Sequence, residues 1–342
     1  MESVENTLNL NAVDAYLHNN LEGYSGPLSA TKFAVGQSNP TFLLRTPQKN
    51  YVLRRKPPGV LLKSAHAVDR EFRVQRALAR SKVPVPAMYL LCEDEAVIGS
   101  AFYVMQHLQG RNFEEPTMQG ESNRIRAGVL DEMNRVLSEL HEVDINAVGL
   151  SDYGPPGNYY ERQINRWTKQ YRATETATIP DMDNLIDRLG TAIPDEDGQR
   201  TLVHGDFRID NLLFEQGGTR CIGVLDWELS TIGHPYADLA AVIMQWQMPP
   251  GDEGRGLAGV DRESLGLPSD QQFIADYCER RGLNGIQNFG FYLAFNFFRM
   301  AAILQGVYKR ALDGNASDPD RARVLGGYVP AFARQGLAAF ES

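Results

Sequence analysis

The chain has 342 residues, 43% of them hydrophobic and 23% charged, a balance that supports substantial cores and excludes a disordered or fibrous chain. With 34 Lys and Arg against 43 Asp and Glu, the net charge is −9; that argues against a general binder of nucleic acid or anionic membrane, while leaving room for one local anionic ligand. Cys92, Cys221 and Cys278 lie far apart with no CxxC pair, so neither a disulfide framework nor a structural zinc site is expected, and a reducing cytoplasm is the expected compartment. The first residues, MESVENTLNLNAVDAYL, show no signal-peptide pattern. Val13, Leu17 and Leu21 then recur four apart and predict a short amphipathic helix over residues 11–22.

Residues 33–44, FAVGQSNPTFLL, read as two apolar strands around a turn, with Gly36, Gln37, Ser38 and Asn39 at its tip. Small residues there let backbone N–H groups approach a phosphate, yet the run lacks the Walker and GxGxxG spacings, so an ordinary hairpin fits equally. In the next strand, YVLRR, alternation puts Val52 and Arg54 on one face and Leu53 and Arg55 on the other. One arginine must face inward, unless this is an edge strand with its cations in water. Along HAVDREFRVQRALAR, Ala67, Val74 and Leu78 form a helical stripe that also contains Glu71. A carboxylate on an apolar face needs a partner: either the inward arginine, or water at the edge of the stripe. The rigid VPVP connector leads into strands around 89–92 and 101–105, after which Gln106, His107 and Leu108 mark a boundary between lobes. A hinge at these residues would offer backbone N–H and C=O groups to an adenine edge.

Val129, Leu130, Met133, Val136, Leu137 and Leu140 predict a helix over 124–141, with His141 at its end as a capping cation or a core histidine. Residues 151–200 are polar and aromatic, with a helix expected near Met182 to Leu189 and otherwise helices and loops without finer assignment. The short apolar runs 201–203 and 221–225 then read as buried strands that deliver polar residues at their ends: His204-x-Asp206-x-x-x-x-Asn211, and Asp226. This is the order a phosphoryl-transfer site needs. Asp206 would receive the acceptor hydroxyl's proton, Asn211 and Asp226 would hold Mg²⁺, and Arg208 would offer charge to the transferring group. His204 reads as a scaffold residue bonded to nearby backbone or to Asp226. The rival is a hydrolase metal site built from His204, Asp206, Asp226 and His234, which has no use for Asn211. Asp238, ahead of an apolar helix at 239–246, reads as a helix N-terminal carboxylate. Helices at 273–281 and 289–308 close the chain; the latter carries Asn296, Arg299 and Gln305 and is a buried helix rather than a membrane span.

LVHGDFRIDNLLF followed by VLDWE resembles the aminoglycoside phosphotransferase and choline kinase-like family. GQSNPTFLL, YVLRRKPPG, HAVDREFRV and FYVMQ stand in matching order, so the likeness covers most of the chain. It implies an α+β, protein-kinase-like fold of two lobes. Residues 1–107 would form an N-terminal nucleotide lobe of antiparallel sheet plus one helix, and 108–342 a larger, mainly helical catalytic and substrate lobe. The resemblance makes Asp206 the base, Asn211 and Asp226 the Mg²⁺ ligands, and Glu71 the partner of the phosphate-binding cation, with ATP as donor and a small-molecule hydroxyl as acceptor. One departure is Arg54, which stands where many relatives have lysine; Lys56 is a poorer substitute, since Pro57 and Pro58 end the strand. GQSNPTFLL, LRRKPPG and SAHAVDREFRV resemble most the kinase-like domains that accompany acyl-CoA dehydrogenases, which weakens the aminoglycoside label and suggests a hydroxylated acyl-CoA as acceptor. A protein kinase is disfavoured by DWE in place of DFG and by the lack of an APE segment. A catalytically weak nucleotide-binding module is the remaining alternative.

Overall fold

Alternating apolar residues in the first hundred positions build a five-stranded antiparallel sheet. The computed structural model describes residues 8–33, 39–57, 67–251, 254–316 and 318–341. Within these, the sheet comprises β1 (Ser29–Lys32), β2 (Thr41–Arg45), β3 (Asn50–Arg55), β4 (Met88–Cys92) and β5 (Phe102–Gln106), in the order β1-β2-β3-β5-β4. Helix α1 (Leu10–Asn20) is capped by Asn9, whose side chain accepts from the Ala12 amide. Its Val13 and Leu17 pack with Phe42, Leu44, Leu53 and Val104 on one face of the sheet. Helix α2 (Val68–Leu78) supplies Val68 and Phe72 to a second cluster with Val52, Tyr103 and Met105 on the other.

Because β3 is the middle strand and both faces are covered, Arg54 and Arg55 are both buried, at 9% and 8% exposure. The expectation of one inward arginine, or of an edge strand with both cations in water, is corrected accordingly. Arg55 lies 5.8 Å from the Phe42 ring centroid, and burial lowers its pKa.

The chain divides into two units. The first contains this sheet, through Phe113, together with Ile145–Leu150 and Asp210–Ser230. In the last of these segments β7 (Leu212–Phe214) pairs antiparallel with β8 (Cys221–Val224). The second unit contains Glu114–Asp144, Ser151–Ile209 and the chain from Thr231. Its helices are α3 (Asn123–His141), α4 (Tyr159–Thr174), α5 (Pro180–Thr191), α6 (Tyr236–Trp246), α7 (Asp270–Arg280), α8 (Phe289–Leu312), α9 (Pro319–Gly326) and α10 (Val329–Ala339). The six apolar residues that predict α3 are all buried in it.

In this unit β6 (Thr201–Val203) pairs antiparallel with β9 (Thr231–Gly233). The two apolar runs at 201–203 and 221–225 therefore belong to different two-stranded sheets. Helix α8 is buried over most of its surface, and its interior amides are satisfied: Asn296 donates to the Tyr292 carbonyl at 3.0 Å and Gln305 to the Thr174 carbonyl at 2.7 Å. Among the described residues no helix is long and apolar enough to cross a membrane.

Candidate functional site

In the first unit the pleat of β3 turns Arg54 to the α2 face, where Glu71 rises from the helix's buried stripe. Arg54 Nε lies 2.9 Å from Glu71 Oε2, and Arg54 Nη2 lies 2.6 Å from Asp226 Oδ1 and 3.6 Å from Glu228. One guanidinium thus gathers three carboxylates, as a planar fork can and a single ammonium cannot easily do. Glu71 is 1% exposed; Asn39 Nδ2 donates to its Oε1 at 2.6 Å and the Tyr103 hydroxyl to its Oε2 at 3.1 Å. Burial pushes the Glu71 carboxyl up to about 7, against the pull of Arg54. Burial alone would lower the Arg54 pKa, but Glu71, with Asp226 and Glu228, holds it above its ordinary value.

Asp226 follows β8 with φ 64°, a left-handed conformation that a non-glycine residue seldom adopts. The single 3-10 turn after it is anchored by Trp227, buried and donating from Nε1 to the Val224 carbonyl at 2.9 Å. The Leu225 amide donates to the Asn211 carbonyl at 2.9 Å, so Asn211 adjoins the residue before Asp226. Arg54, Glu71, Asp226 and Asn211 are in this way drawn together within one unit from four separate stretches of sequence.

Gly36, Gln37 and Ser38 lie outside the described residues. Asn39 is fully buried with its amide committed to Glu71, a correction to its placement at an open hairpin tip. Gln106 is tied to Ala87 twice, its amide donating to the Ala87 carbonyl at 2.8 Å and its Oε1 accepting from the Ala87 amide at 3.2 Å. His107 follows, its pKa lowered by burial and by Arg45. Leu108 then packs on Gly223, where a Cβ would stand 2.6 Å from the Leu108 Cδ1.

The other half of the pattern belongs to the second unit. After β6 the backbone turns through Gly205 at φ 84°. The amides of His204 and Gly205 donate to the two oxygens of Asp238 at 2.7 and 2.8 Å, and the Asp206 amide to His204 Nδ1 at 3.2 Å. Asp206 and Arg208 face each other at 3.2 Å, with side chains 36% and 34% exposed. Asp238 lies in the first turn of α6, as its position predicts, but its bonds go to the loop that carries Asp206.

Behind Asp238 stands a directed chain of donors. Arg281 can only donate, and does so to the Tyr277 oxygen at 2.8 Å, which leaves the Tyr277 hydroxyl to donate to His141 Nδ1 at 2.8 Å. The proton of His141 is thereby placed on Nε2, 3.4 Å from Asp238 Oδ2. Burial lowers the His141 pKa, so the imidazole is a neutral core donor, and the capping-cation alternative falls away. For Asp238, burial raises the carboxyl, but the hydrogen bonds from His141 and from the His204 backbone amide outweigh it and hold the carboxyl below its ordinary range.

Both histidines of the metallohydrolase alternative have ring nitrogens engaged within the protein. His204 is fully buried and accepts the Asp206 amide; His234 accepts the Tyr236 amide at 3.3 Å, bonds Asp197 at 3.3 Å and stacks on Tyr292. His234 borders a cavity of about 200 Å³ lined also by Tyr159, Arg162 and Arg200. Among the described residues no three His, Cys, Asp or Glu side chains converge as a metal site. Sequence reasoning missed Tyr103, Asn39 and Glu228 as members of the Arg54 cluster. Glu228 alone carried a signal, since it stands two residues from Asp226 in a locally acidic run.

A family model described as "Phosphotransferase enzyme family" matches residues 29–270. Acyl-CoA dehydrogenase family member 10 of Mus musculus is 45% identical over 308 residues, 90% of this chain and 29% of that protein. Acyl-CoA dehydrogenase family member 11 of Homo sapiens is 42% identical over 335 residues, 95% of this chain and 42% of that protein. The chain thus spans less than half the length of these curated relatives. Among solved structures, a Ralstonia eutropha protein provisionally named an aminoglycoside phosphotransferase has a TM-score of 0.90 at 46% identity, over 98% of both chains. Aminoglycoside phosphotransferase APH(4)-Ia, in a ternary complex with AMP-PNP and hygromycin B, shares the fold, with a TM-score of 0.62 at 18% identity over 95% of this chain and 98% of that one.

Proposed function

The chain belongs to the phosphotransferase enzyme family, and on that premise we propose that it transfers the γ-phosphoryl group of ATP, with Mg²⁺, to a hydroxyl group of a small molecule. The observation that carries this reading is the Arg54 cluster. A buried glutamate on a helix holds a strand cation that also meets Asp226, an arrangement suited to gripping nucleotide phosphates and of no use to a simple hydrolase. In this reading Arg54 contacts the phosphates, with Glu71 holding it in place, and the backbone of Gln106 to Leu108 meets the adenine edge.

Asn211 and Asp226 offer an amide and a carboxylate oxygen, hard donors of the kind Mg²⁺ takes alongside phosphate oxygens and water. These two residues would hold the ion, which when bound neutralises charge on the phosphate oxygens. Asp206 orients the acceptor hydroxyl and takes its proton, and Arg208 beside it offers charge to the transferring group. The likeness to acyl-CoA dehydrogenase family members 10 and 11 favours a hydroxylated acyl thioester over an aminosugar as acceptor. The three cysteines are free and buried, in keeping with a cytoplasmic setting.

The test is a screen of hydroxylated metabolites, hydroxyacyl-CoAs and aminoglycosides included, for ATP-dependent mass gain of one phosphate. Asp206→Ala should abolish transfer while nucleotide binding survives, and Asp226→Ala should weaken Mg²⁺-nucleotide binding. Retained turnover in both variants overturns the assignment. A second reading, a nucleotide-binding module without turnover, is favoured by one feature: Arg54 stands in the lysine position and is engaged with Asp226 at 2.6 Å. Thermal stabilisation by ATP with no product from any metabolite pool would select that reading.

A further inference from the structure

The loop that carries Asp206 is gripped from two sides, and Asp238 accounts for only one. Asp238 takes the amides of His204 and Gly205, both of which precede the peptide that joins Gly205 to Asp206. That peptide is the weak point of the loop. Gly205 sits at φ 84° and has no Cβ, so rotation of the plane after it meets little steric resistance. Its orientation sets the direction of the Asp206 amide and, with it, where the Asp206 side chain projects. The Asp206 amide donates a long bond, 3.2 Å, to His204 Nδ1.

The Gly205 carbonyl is taken by Arg299 of α8, whose Nη2 donates to it at 2.8 Å. The guanidinium carbon also lies 5.9 Å from the Trp167 ring centroid on α4, within cation–π range, so the donor is held where it stands. We infer that Arg299 is a positioning residue for Asp206, fixing the Gly205–Asp206 peptide in one orientation by holding its carbonyl. It acts through the backbone and touches neither nucleotide nor acceptor. The inference rests on the reading of Asp206 as the base. It explains why a largely buried helix carries a guanidinium at this point.

The planar fork can donate to the carbonyl while its face lies toward Trp167. Lysine can reach a carbonyl but lacks that face, so it should restore part of the function, whereas alanine leaves a gap that free guanidinium ion can enter.

The experiment uses the full chain and MgATP with water as phosphoryl acceptor, following ADP and phosphate release in wild type, Arg299→Ala, Arg299→Lys and Asp206→Ala. Alongside it, amide hydrogen exchange is followed across residues 201–209. Arg299→Ala should lose about tenfold or more in turnover, the scale expected when a reacting group is misplaced by a fraction of an ångström to an ångström. Its KM for MgATP should stay close to wild type, and the Gly205 and Asp206 amides should exchange faster. Arg299→Lys should fall between the two. Guanidinium chloride at non-denaturing concentration, but not sodium chloride, should restore part of the Arg299→Ala rate and none of the Asp206→Ala rate. A loss expressed in KM, or one relieved by neither lysine nor guanidinium, overturns the inference. Unchanged exchange at Gly205 and Asp206 in Arg299→Ala overturns it too, with no need for turnover. Wild-type hydrolysis by Asp206→Ala beside an impaired Arg299→Ala would instead retire the reading of Asp206 as base.

Discussion

Replacing Arg54 by methionine keeps most of the aliphatic volume and removes the charge that three carboxylates share. Asp226 and Glu228 are 32% and 23% exposed at their side chains and can turn to water, but Glu71, at 1%, cannot. Removing one partner of a buried pair leaves an uncompensated charge and costs roughly 3–5 kcal/mol. The lower end applies here, because Asn39 and Tyr103 still donate to Glu71 and its carboxyl, already pushed up to about 7, can take a proton. A loss of about 3 kcal/mol should lower the melting temperature by roughly 4 °C, measured by calorimetry near neutral pH. Glu71→Gln is nearly isosteric and leaves an oxygen for Asn39 or Tyr103, so the Arg54→Met/Glu71→Gln double variant should recover about 2 kcal/mol of that loss. If the two penalties simply add, Glu71 is not the residue that Arg54 stabilises, and the central pair of the proposed nucleotide site is lost with it.

Two further outcomes follow from particular contacts. The Asp238 carboxyl lies below its ordinary range, so the stability it confers is full above the unfolded-state value, near 4, and is lost as pH falls through the folded-state value. Asp238→Asn should therefore melt below wild type at pH 7, and the gap should narrow as pH is lowered past about 4; a gap constant from pH 7 to 3.5 would contradict the assignment. In Gly223→Ala the new Cβ would meet the tip of Leu108 at 2.6 Å, a flexible methyl that can move aside. The variant should keep its stability to within about 1 kcal/mol yet bind ATP more weakly by fluorescence titration, since the displaced residue is one of the three proposed to meet the adenine edge. Unchanged affinity would remove Leu108 from the site.

What could be read from the sequence depended on whether the relevant contact was written into a local period. Glu71 was visible because a carboxylate interrupts a 3.6-residue apolar stripe, and the buried pair with Arg54 follows. The same reasoning stopped at Arg55, because only the pairing order shows that β3 is the middle strand of a sheet covered on both sides. Strands β7 and β9 have three residues each, too short for alternation to register, and their pairings split two apolar runs that look like neighbours. Helix α4 was hidden for another reason, whereas α5 covers the stretch from Met182 to Leu189 where a helix is expected. The buried face of α4 is Tyr160, Ile164 and Tyr171, so two of its three core positions bear hydroxyls and the stripe reads as mixed. Asn39 and Tyr103 reach Glu71 across 32 residues of sequence in opposite directions, a distance at which pattern has no purchase.

Each unit holds one buried carboxylate beside residues of the proposed site, and the two are tuned in opposite directions. Asp238 is encircled by donors that cannot leave, two backbone amides and a neutral imidazole whose tautomer is fixed by Arg281 through Tyr277, and its carboxyl is held low. Glu71 relies on a side-chain cation that is shared with Asp226 and Glu228, and its carboxyl is raised. Under the proposed function, the first arrangement suits a loop that must keep one geometry throughout a catalytic cycle. The second suits the proposed role of Arg54 as a cation available to incoming phosphates, since a guanidinium already divided among three carboxylates can redistribute its donors without leaving Glu71. That division also bears on the substitution of arginine for the usual lysine. A compact ammonium spans Glu71 and the Asp226 side of the cluster less readily than the fork does, so under the proposed function Arg54 is a different means of holding the same two elements.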